Sequence, residues 1–79
     1  MVKPGLPYLD VLRKVADHTV RPVAVYNVSG EYAMVMNATV DEDSRQRMVT
    51  EVLTAFKRAG ASVIVTYHAR EAAQKRWVA

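Results

Sequence analysis

Two continuous apolar runs constrain the fold of this chain more than any other feature. Residues 23–28 read Val-Ala-Val-Tyr-Asn-Val, and residues 61–67 read Ala-Ser-Val-Ile-Val-Thr-Tyr. Short runs without polar alternation are typical of strands in a parallel sheet that is covered on both faces. Segments with helical periodicity lie before, between and after them. The sequence therefore predicts an α/β fold with parallel strands joined by helical crossovers.

The helices are predicted from apolar spacing and from capping residues. They span about residues 8–18, 31–38, 41–59 and 71–78. Thr39 or Asp41 is the expected N-cap of the third helix, and Gly60 the expected residue after its C-cap. The apolar positions expected to face the core are Leu9, Leu12, Val15 and Ala16 in the first helix and Met48, Val49, Val52, Leu53 and Phe56 in the third.

These elements are too few to cover one another. Two parallel strands and a few helices in 79 residues leave sheet edges and apolar faces open. The opening residues, Met1-Val2-Lys3, look like the end of a strand whose beginning is missing. A complete (β/α)₈ barrel takes roughly 250 residues. We therefore expect residues 1–79 to be a partial TIM-barrel domain: the end of one strand, then two further β/α units, about two and a half in all.

Composition argues against several classes of protein. The net charge is +3, but the basic residues sit beside acids or alanines in helical segments, without the aromatic-lined basic stripe typical of nucleic-acid binding. No apolar run approaches the roughly 20 residues of a membrane span. The polar, proline-broken start does not resemble a signal peptide, and the absence of cysteine excludes thiolate metal sites. We expect a cytoplasmic protein without nucleic-acid or membrane partners.

Three residues with chemical potential follow the predicted strands. Lys3, Ser29 and Tyr67 each fall at the carboxyl end of a strand. Parallel neighbours place these ends side by side, and that edge of a barrel carries the chemistry. An amine, a hydroxyl and a phenol are therefore expected to converge.

Each of these residues also has an ordinary structural explanation. A lysine near a terminus is usually a solvated charge, and Ser29 before Gly30 suits a turn or helix cap. Tyr67 could pack its ring at a strand end. By position alone, Tyr26 is a core residue and His68 belongs to an exposed turn.

The order of the motifs resembles one family over nearly the whole chain. Residues 1–10 (Met-Val-Lys-Pro-Gly-Leu-Pro-Tyr-Leu-Asp) are similar to the active-site signature of porphobilinogen synthases, with its Lys-Pro-Gly-x-Pro-Tyr core. Residues 28–34 (Val-Ser-Gly-Glu-Tyr-Ala-Met) resemble the second hallmark block of that family. Residues 57–61 and 63–67 resemble its closing strand. The chain is thus similar to the C-terminal portion of a porphobilinogen synthase, or 5-aminolevulinate dehydratase.

The resemblance implies a role for each candidate residue. Lys3 would form a Schiff base with 5-aminolevulinate, Ser29 and Tyr67 would hold the carboxylate of that substrate, and Tyr26 would line the pocket. The implied enzyme is a hydro-lyase that condenses two 5-aminolevulinate molecules to porphobilinogen in tetrapyrrole and heme biosynthesis.

Other implied features depend on residues that are absent. The family uses zinc or magnesium and a second active-site lysine, all from positions upstream of this segment, and its members are commonly homo-octamers. Residues 35–47 match poorly, Ser62 stands where Asp is common, and His68 stands where an aromatic is common. We expect the chain alone to be inactive. One alternative is a free-standing small α/β protein that acts by oligomerisation or by association with a barrel, without catalysis. A third option is a degenerate remnant without function.

Overall fold

A computed structural model describes residues 1–77 of the chain. In this part of the chain, helices and strands follow in the order α1 (Leu9–Asp17), β1 (Ala24–Asn27), α2 (Ser29–Ala38), α3 (Glu42–Arg58), β2 (Val63–Thr66) and α4 (Ala69–Gln74). A short 3₁₀ turn (Leu6–Tyr8) leads into α1. The predicted alternation is confirmed. However, α2 begins at Ser29 rather than Glu31, and α4 begins at Ala69 rather than Glu71. Val78, the expected end of the last helix, lies outside the described residues.

The sheet is parallel, as the sequence predicts. β1 and β2 pair in register from Ala24 with Val63 to Asn27 with Thr66. Val2 extends the sheet on the other side of β1, where it forms a parallel bridge with Val25. The Val2 amide donates to the Ala24 carbonyl, and the Tyr26 amide donates to the Val2 carbonyl, both at 2.9 Å. Val2 therefore occupies a strand position beside β1.

The two faces of this sheet differ sharply in burial. Side chains alternate across a strand, so Val25 and Asn27 share one face, and both are fully buried. Val63 and Val65 of β2 lie on the opposite face and remain 52% and 42% exposed. The helices thus cover one face and leave the other open.

The core lies between the covered face and α1, α2 and α3. Phe56 and Leu12 are its largest apolar side chains and are fully buried. The expected stripes are mostly confirmed, but two positions are wrong: Met48 is 36% exposed and Val15 is 40% exposed. Each lies at the margin of its helical stripe, where burial depends on a neighbouring element rather than on helical spacing.

Capping residues define both ends of α3. The Asp41 carboxylate accepts from the Ser44 amide at 2.7 Å, so Asp41 rather than Thr39 is the N-cap. At the other end, the Gly60 amide donates to the Lys57 carbonyl and the Ala61 amide to the Phe56 carbonyl, both at 3.1 Å. This is the Schellman pattern, and Gly60 has the positive φ of 112° that it favours. The predicted cap glycine is confirmed.

No helix within residues 1–77 is long and apolar enough to cross a membrane.

Gly5 and Gly30 provide a matched test of the packing. A Cβ on Gly5 would lie 2.6 Å from Cε1 of Phe56 and 2.9 Å from Cγ2 of Val25, whereas a Cβ on Gly30 would meet nothing within 4 Å. Gly5→Ala should lower the free energy of unfolding by about 1–3 kcal/mol, because it overpacks the core. Gly30→Ala, in α2, should raise it by about 0.5 kcal/mol. Urea unfolding followed by circular dichroism measures both, and equal midpoints would contradict the packing.

Candidate active site

Lys3 directly follows the strand position of Val2, at the carboxyl edge of the sheet. Val2 pairs with Val25, so extending that register by one residue sets Lys3 beside Tyr26. Tyr26 in turn pairs with Val65 of β2. Residues paired directly across neighbouring strands share a face, so this extended register would put Lys3 on the same side of the sheet as Tyr26 and Val65. The Lys3 side chain is exposed there.

Two tyrosines meet at this edge. The Tyr26 and Tyr67 hydroxyl oxygens are 3.2 Å apart and share a hydrogen bond. Their ring centroids are 6.4 Å apart, and Tyr67, directly after β2, is 56% exposed. The hydrogen bond with Tyr67, aided by partial burial, raises the pKa of Tyr26 above its ordinary value of 10.0. One of the two hydroxyl protons is used in this hydrogen bond, which leaves the other available to donate to a further group.

Ser29 follows Tyr26 by three residues along the chain. It is the first residue of α2 and is exposed. Within residues 1–77, neither the Ser29 hydroxyl nor the Lys3 amine forms a hydrogen bond with another protein group. The structure thus brings Tyr26 and Tyr67 into contact and places Lys3 and Ser29 at neighbouring strand ends, without direct contact among all the predicted residues.

A buried carboxylate lies beneath this edge. Glu31 of α2 is only 4% exposed. Its Oε2 accepts from the amides of Gly5 at 3.0 Å and Val28 at 3.2 Å. Its Oε1 accepts from the Leu6 amide at 2.8 Å and from Nδ2 of Asn27 at 2.9 Å. One side chain therefore joins the turn after Lys3, the end of β1 and the start of α2.

The hydrogen bonds continue from Asn27 into β2. Oδ1 of Asn27 accepts from the Thr66 hydroxyl at 2.7 Å, and the Thr66 hydroxyl oxygen accepts from the His68 amide at 3.2 Å. Asn27 is fully buried. The Glu31–Asn27–Thr66 network consequently ties together the ends of all three paired segments.

The sequence analysis did not predict this network, although the sequence contains two signals of it. Glu31 stands three residues after Val28, the spacing at which a glutamate reaches back to the N-cap amide of a helix. Asn27 interrupts an otherwise apolar strand, and a polar residue in such a position requires a hydrogen-bond partner.

The prediction that His68 belongs to an exposed turn is wrong. His68 is 1% exposed, and its ring lies 4.6 Å from that of Tyr32, which in turn lies 5.6 Å from that of Tyr67. Its Nε2 is buried without a partner among the described residues. Burial lowers the pKa of His68 below its ordinary value of 6.5; Arg45 acts in the same direction, and Glu71 opposes them. α4 begins directly after His68 and encloses a side chain that sequence alone places in solvent.

Comparison with known proteins identifies the family. A sequence profile described as delta-aminolevulinic acid dehydratase matches residues 1–75. The chain belongs to the delta-aminolevulinic acid dehydratase family. Its relatives include the enzymes named so in Synechococcus elongatus, at 53% identity over the whole chain, and in Archaeoglobus fulgidus, at 49% identity over 95% of it. The chain spans 24% and 23% of the length of these two relatives.

A solved structure agrees in fold. The chain is similar to the delta-aminolevulinic acid dehydratase (porphobilinogen synthase) of Toxoplasma gondii, which was crystallised in complex with the reaction product porphobilinogen. The TM-score is 0.88 at 49% identity, over 95% of this chain and 22% of that one. The resemblance drawn from the Lys3 and Ser29 motifs is therefore confirmed at the level of the family.

The metal associated with this family finds no site in the described segment. Residues 1–77 contain no group of three or more His, Cys, Asp or Glu side chains placed to hold a metal ion. The side chains of this part of the chain, near Lys3 and Tyr67, do not fit a zinc or magnesium centre.

The burial of His68 leads to a specific prediction for the dependence of stability on pH. Its pKa is lower in the folded chain than the ordinary 6.5. Between those two pKa values the unfolded chain binds more protons than the folded chain. The contribution of His68 to stability is therefore fully present above about pH 6.5 and is lost as the pH falls below that value. His68→Phe should remove this loss. Thermal unfolding from about pH 8 to pH 5 measures it, and identical slopes for the wild-type chain and the variant would contradict the assignment.

Proposed function

We propose that this chain is the C-terminal part of the catalytic domain of a porphobilinogen synthase and carries the lysine that binds 5-aminolevulinate as a Schiff base. The observation that carries the proposal is the contact of the Tyr26 and Tyr67 hydroxyls, 3.2 Å apart, at the carboxyl edge of the sheet. Lys3 directly follows Val2, the bridge partner of Val25, at this edge. The solved relative that binds porphobilinogen shares this fold at a TM-score of 0.88.

The chemistry suits a lysine. The Lys3 amine attacks the ketone carbon of 5-aminolevulinate, and loss of water gives an imine. Its protonated form makes the adjacent C–H acidic. The carbon that loses this proton bonds to the ketone carbon of a second 5-aminolevulinate. The amine of the second molecule then displaces the Lys3 amine from the imine carbon and closes the ring. Loss of a second water and of a ring proton gives porphobilinogen and frees the lysine.

The hydroxyls supply binding and orientation. In this proposal Ser29 and Tyr67 donate to the carboxylate of the substrate that is bound to Lys3, and Tyr26 lines the pocket. Neutral donors can hold an anion with charge-assisted hydrogen bonds. Tyr26 supports this role by its hydrogen bond with the Tyr67 hydroxyl, which fixes the position of that hydroxyl at the edge of the sheet.

The open face supports the barrel architecture. Tyr26, Val63 and Val65 lie on the side that would become the interior of a (β/α)₈ barrel, while Val25 and Asn27 face the helices. The edge of β2 also borders a groove of about 530 Å³ lined partly by Leu53 and Ile64. We propose that residues 1–79 form the end of one barrel strand and two further β/α units. The homo-oligomer, the zinc or magnesium cofactor and the cytoplasmic location remain predictions.

The same exposure favours a second candidate function. Val63 and Val65, at 52% and 42% exposure, form an apolar surface that association would bury. In this alternative the chain binds a second copy of itself or a barrel and performs no chemistry. Labelling and complementation distinguish the two functions.

Borohydride trapping tests the nucleophile. The 79-residue chain is incubated with 5-aminolevulinate and borohydride, and peptide mass spectrometry locates the adduct. Lys3 should be labelled in preference to the other lysines, because it lies at the carboxyl edge of the sheet. Lys14 and Lys57 lie on α1 and α3, and Lys75 is paired with Glu42 and Glu71. Tyr67→Phe should raise the half-saturating substrate concentration about tenfold, since it removes a hydrogen bond to a charged group.

The matched control is Lys57→Arg, which changes an exposed lysine on α3 and should leave the labelling of Lys3 unaltered. A folded chain that is labelled equally at all four lysines, or at none, would contradict the proposed role of Lys3.

Complementation tests the partial barrel. The chain is co-expressed with the segment of the Synechococcus elongatus enzyme that precedes the matched region, and porphobilinogen is measured colorimetrically. The mixture should form porphobilinogen, and each part alone should not, because neither part encloses the site. Lys3→Met should abolish the product without preventing association. Association without product in the unmutated pair would favour the non-catalytic alternative.

A further inference from the structure

We infer that Glu31 is a positioning residue, which holds the turn that follows Lys3 and thereby sets where the Lys3 amine stands on the sheet. The inference rests on the proposed function, in which Lys3 is the nucleophile. It concerns a side chain that lies beneath the site rather than in it.

Glu31 accepts several hydrogen bonds, from groups that lie far apart along the chain. Its carboxylate is 4% exposed and accepts four hydrogen bonds, from the Gly5, Leu6 and Val28 amides and from the Asn27 side chain. No ion pair to Glu31 occurs among residues 1–77, so these N–H groups alone compensate its charge. A buried anion is tolerated only when such donors are in place. The carboxylate therefore constrains the backbone at Gly5 and Leu6, which directly follow Lys3-Pro4.

The other side of the same turn is held by packing. The position of a Cβ on Gly5 lies 2.6 Å from Cε1 of Phe56, which is fully buried. The backbone at Gly5 thus sits between a fixed carboxylate and a fixed aromatic ring. A turn confined on both sides has little freedom to carry Lys3 away from Tyr26.

The orientation of Glu31 is itself fixed from β2. Asn27 donates to Oε1 of Glu31, and the Thr66 hydroxyl donates to Oδ1 of Asn27 at 2.7 Å. This leaves the Asn27 amide group oriented with its nitrogen toward Glu31. Removing the Thr66 hydroxyl should therefore loosen the same turn, though less than a change at Glu31.

The test compares Glu31→Gln with Glu51→Gln in the 79-residue chain. Glu31→Gln keeps size and shape but turns an NH₂ group toward amide donors, whereas Glu51 is exposed on α3 and controls for the lost charge. Two quantities are measured: hydrogen exchange at the Gly5 and Leu6 amides, and the maximal rate of borohydride-trapped 5-aminolevulinate labelling at Lys3 as substrate concentration is varied.

Glu31→Gln should speed exchange at Gly5 and Leu6 about tenfold, while the Tyr26 amide stays protected. It should also lower the maximal labelling rate about tenfold, with the half-saturating concentration changed less than about threefold, because Ser29 and Tyr67 remain. Glu51→Gln should match the wild-type chain. Thr66→Val, which preserves the strand, should change the exchange and labelling rates in the same directions by about threefold. This variant replaces Glu31→Gln in the test if Glu31→Gln does not fold.

Unchanged exchange at Gly5 and Leu6 would overturn the inference, as would faster exchange with an unchanged labelling rate at Lys3. A wild-type chain that is folded but not labelled would instead contradict the proposed function. In that case the exchange rates alone decide whether Glu31 holds the turn.

Discussion

The arrangement of this chain depends on one buried carboxylate. Glu31 accepts hydrogen bonds from the Gly5, Leu6 and Val28 amides and from Asn27, groups that belong to segments as much as 26 residues apart. Burying an anion is costly unless every oxygen is satisfied, so these segments can come together in few other ways. The turn after Lys3 is consequently joined to β1 and α2 by a requirement of electrostatics as well as by apolar packing.

The two faces of the sheet carry different groups of side chains. Helices bury Val25 and Asn27 on one face, and Val65 and Tyr26 lie on the other, which stays open. The hydrogen-bonded network lies on the covered side, where water is excluded and hydrogen bonds hold geometry well. The groups proposed to meet substrate lie on the open side. One layer of backbone thus separates the supporting network from the groups proposed to meet substrate.

Much of the fold could be predicted because it follows from local rules. The apolar runs predicted both strands, and Asp41 and Gly60 marked the ends of α3 through side-chain and backbone capping. Predictions failed where burial depends on contacts between elements. Met48 lies outside the core at 36% exposure, whereas His68 is enclosed beside Tyr32 at 1% exposure. Neither result follows from the spacing of apolar residues. Helical and strand periodicity does not determine which neighbouring element covers a residue at the margin of an apolar face.

By itself, the sequence determined the parallel α/β pattern, the family, and the candidates Lys3, Ser29, Tyr26 and Tyr67, because these are properties of short segments and their order. Only the tertiary structure decided that the Tyr26 and Tyr67 hydroxyls share a hydrogen bond and that Glu31 anchors the turn after Lys3. Both contacts join residues far apart along the chain. Their partners are selected by the register of β1 on β2 and by the need to satisfy a buried charge, and neither can be inferred from one segment alone.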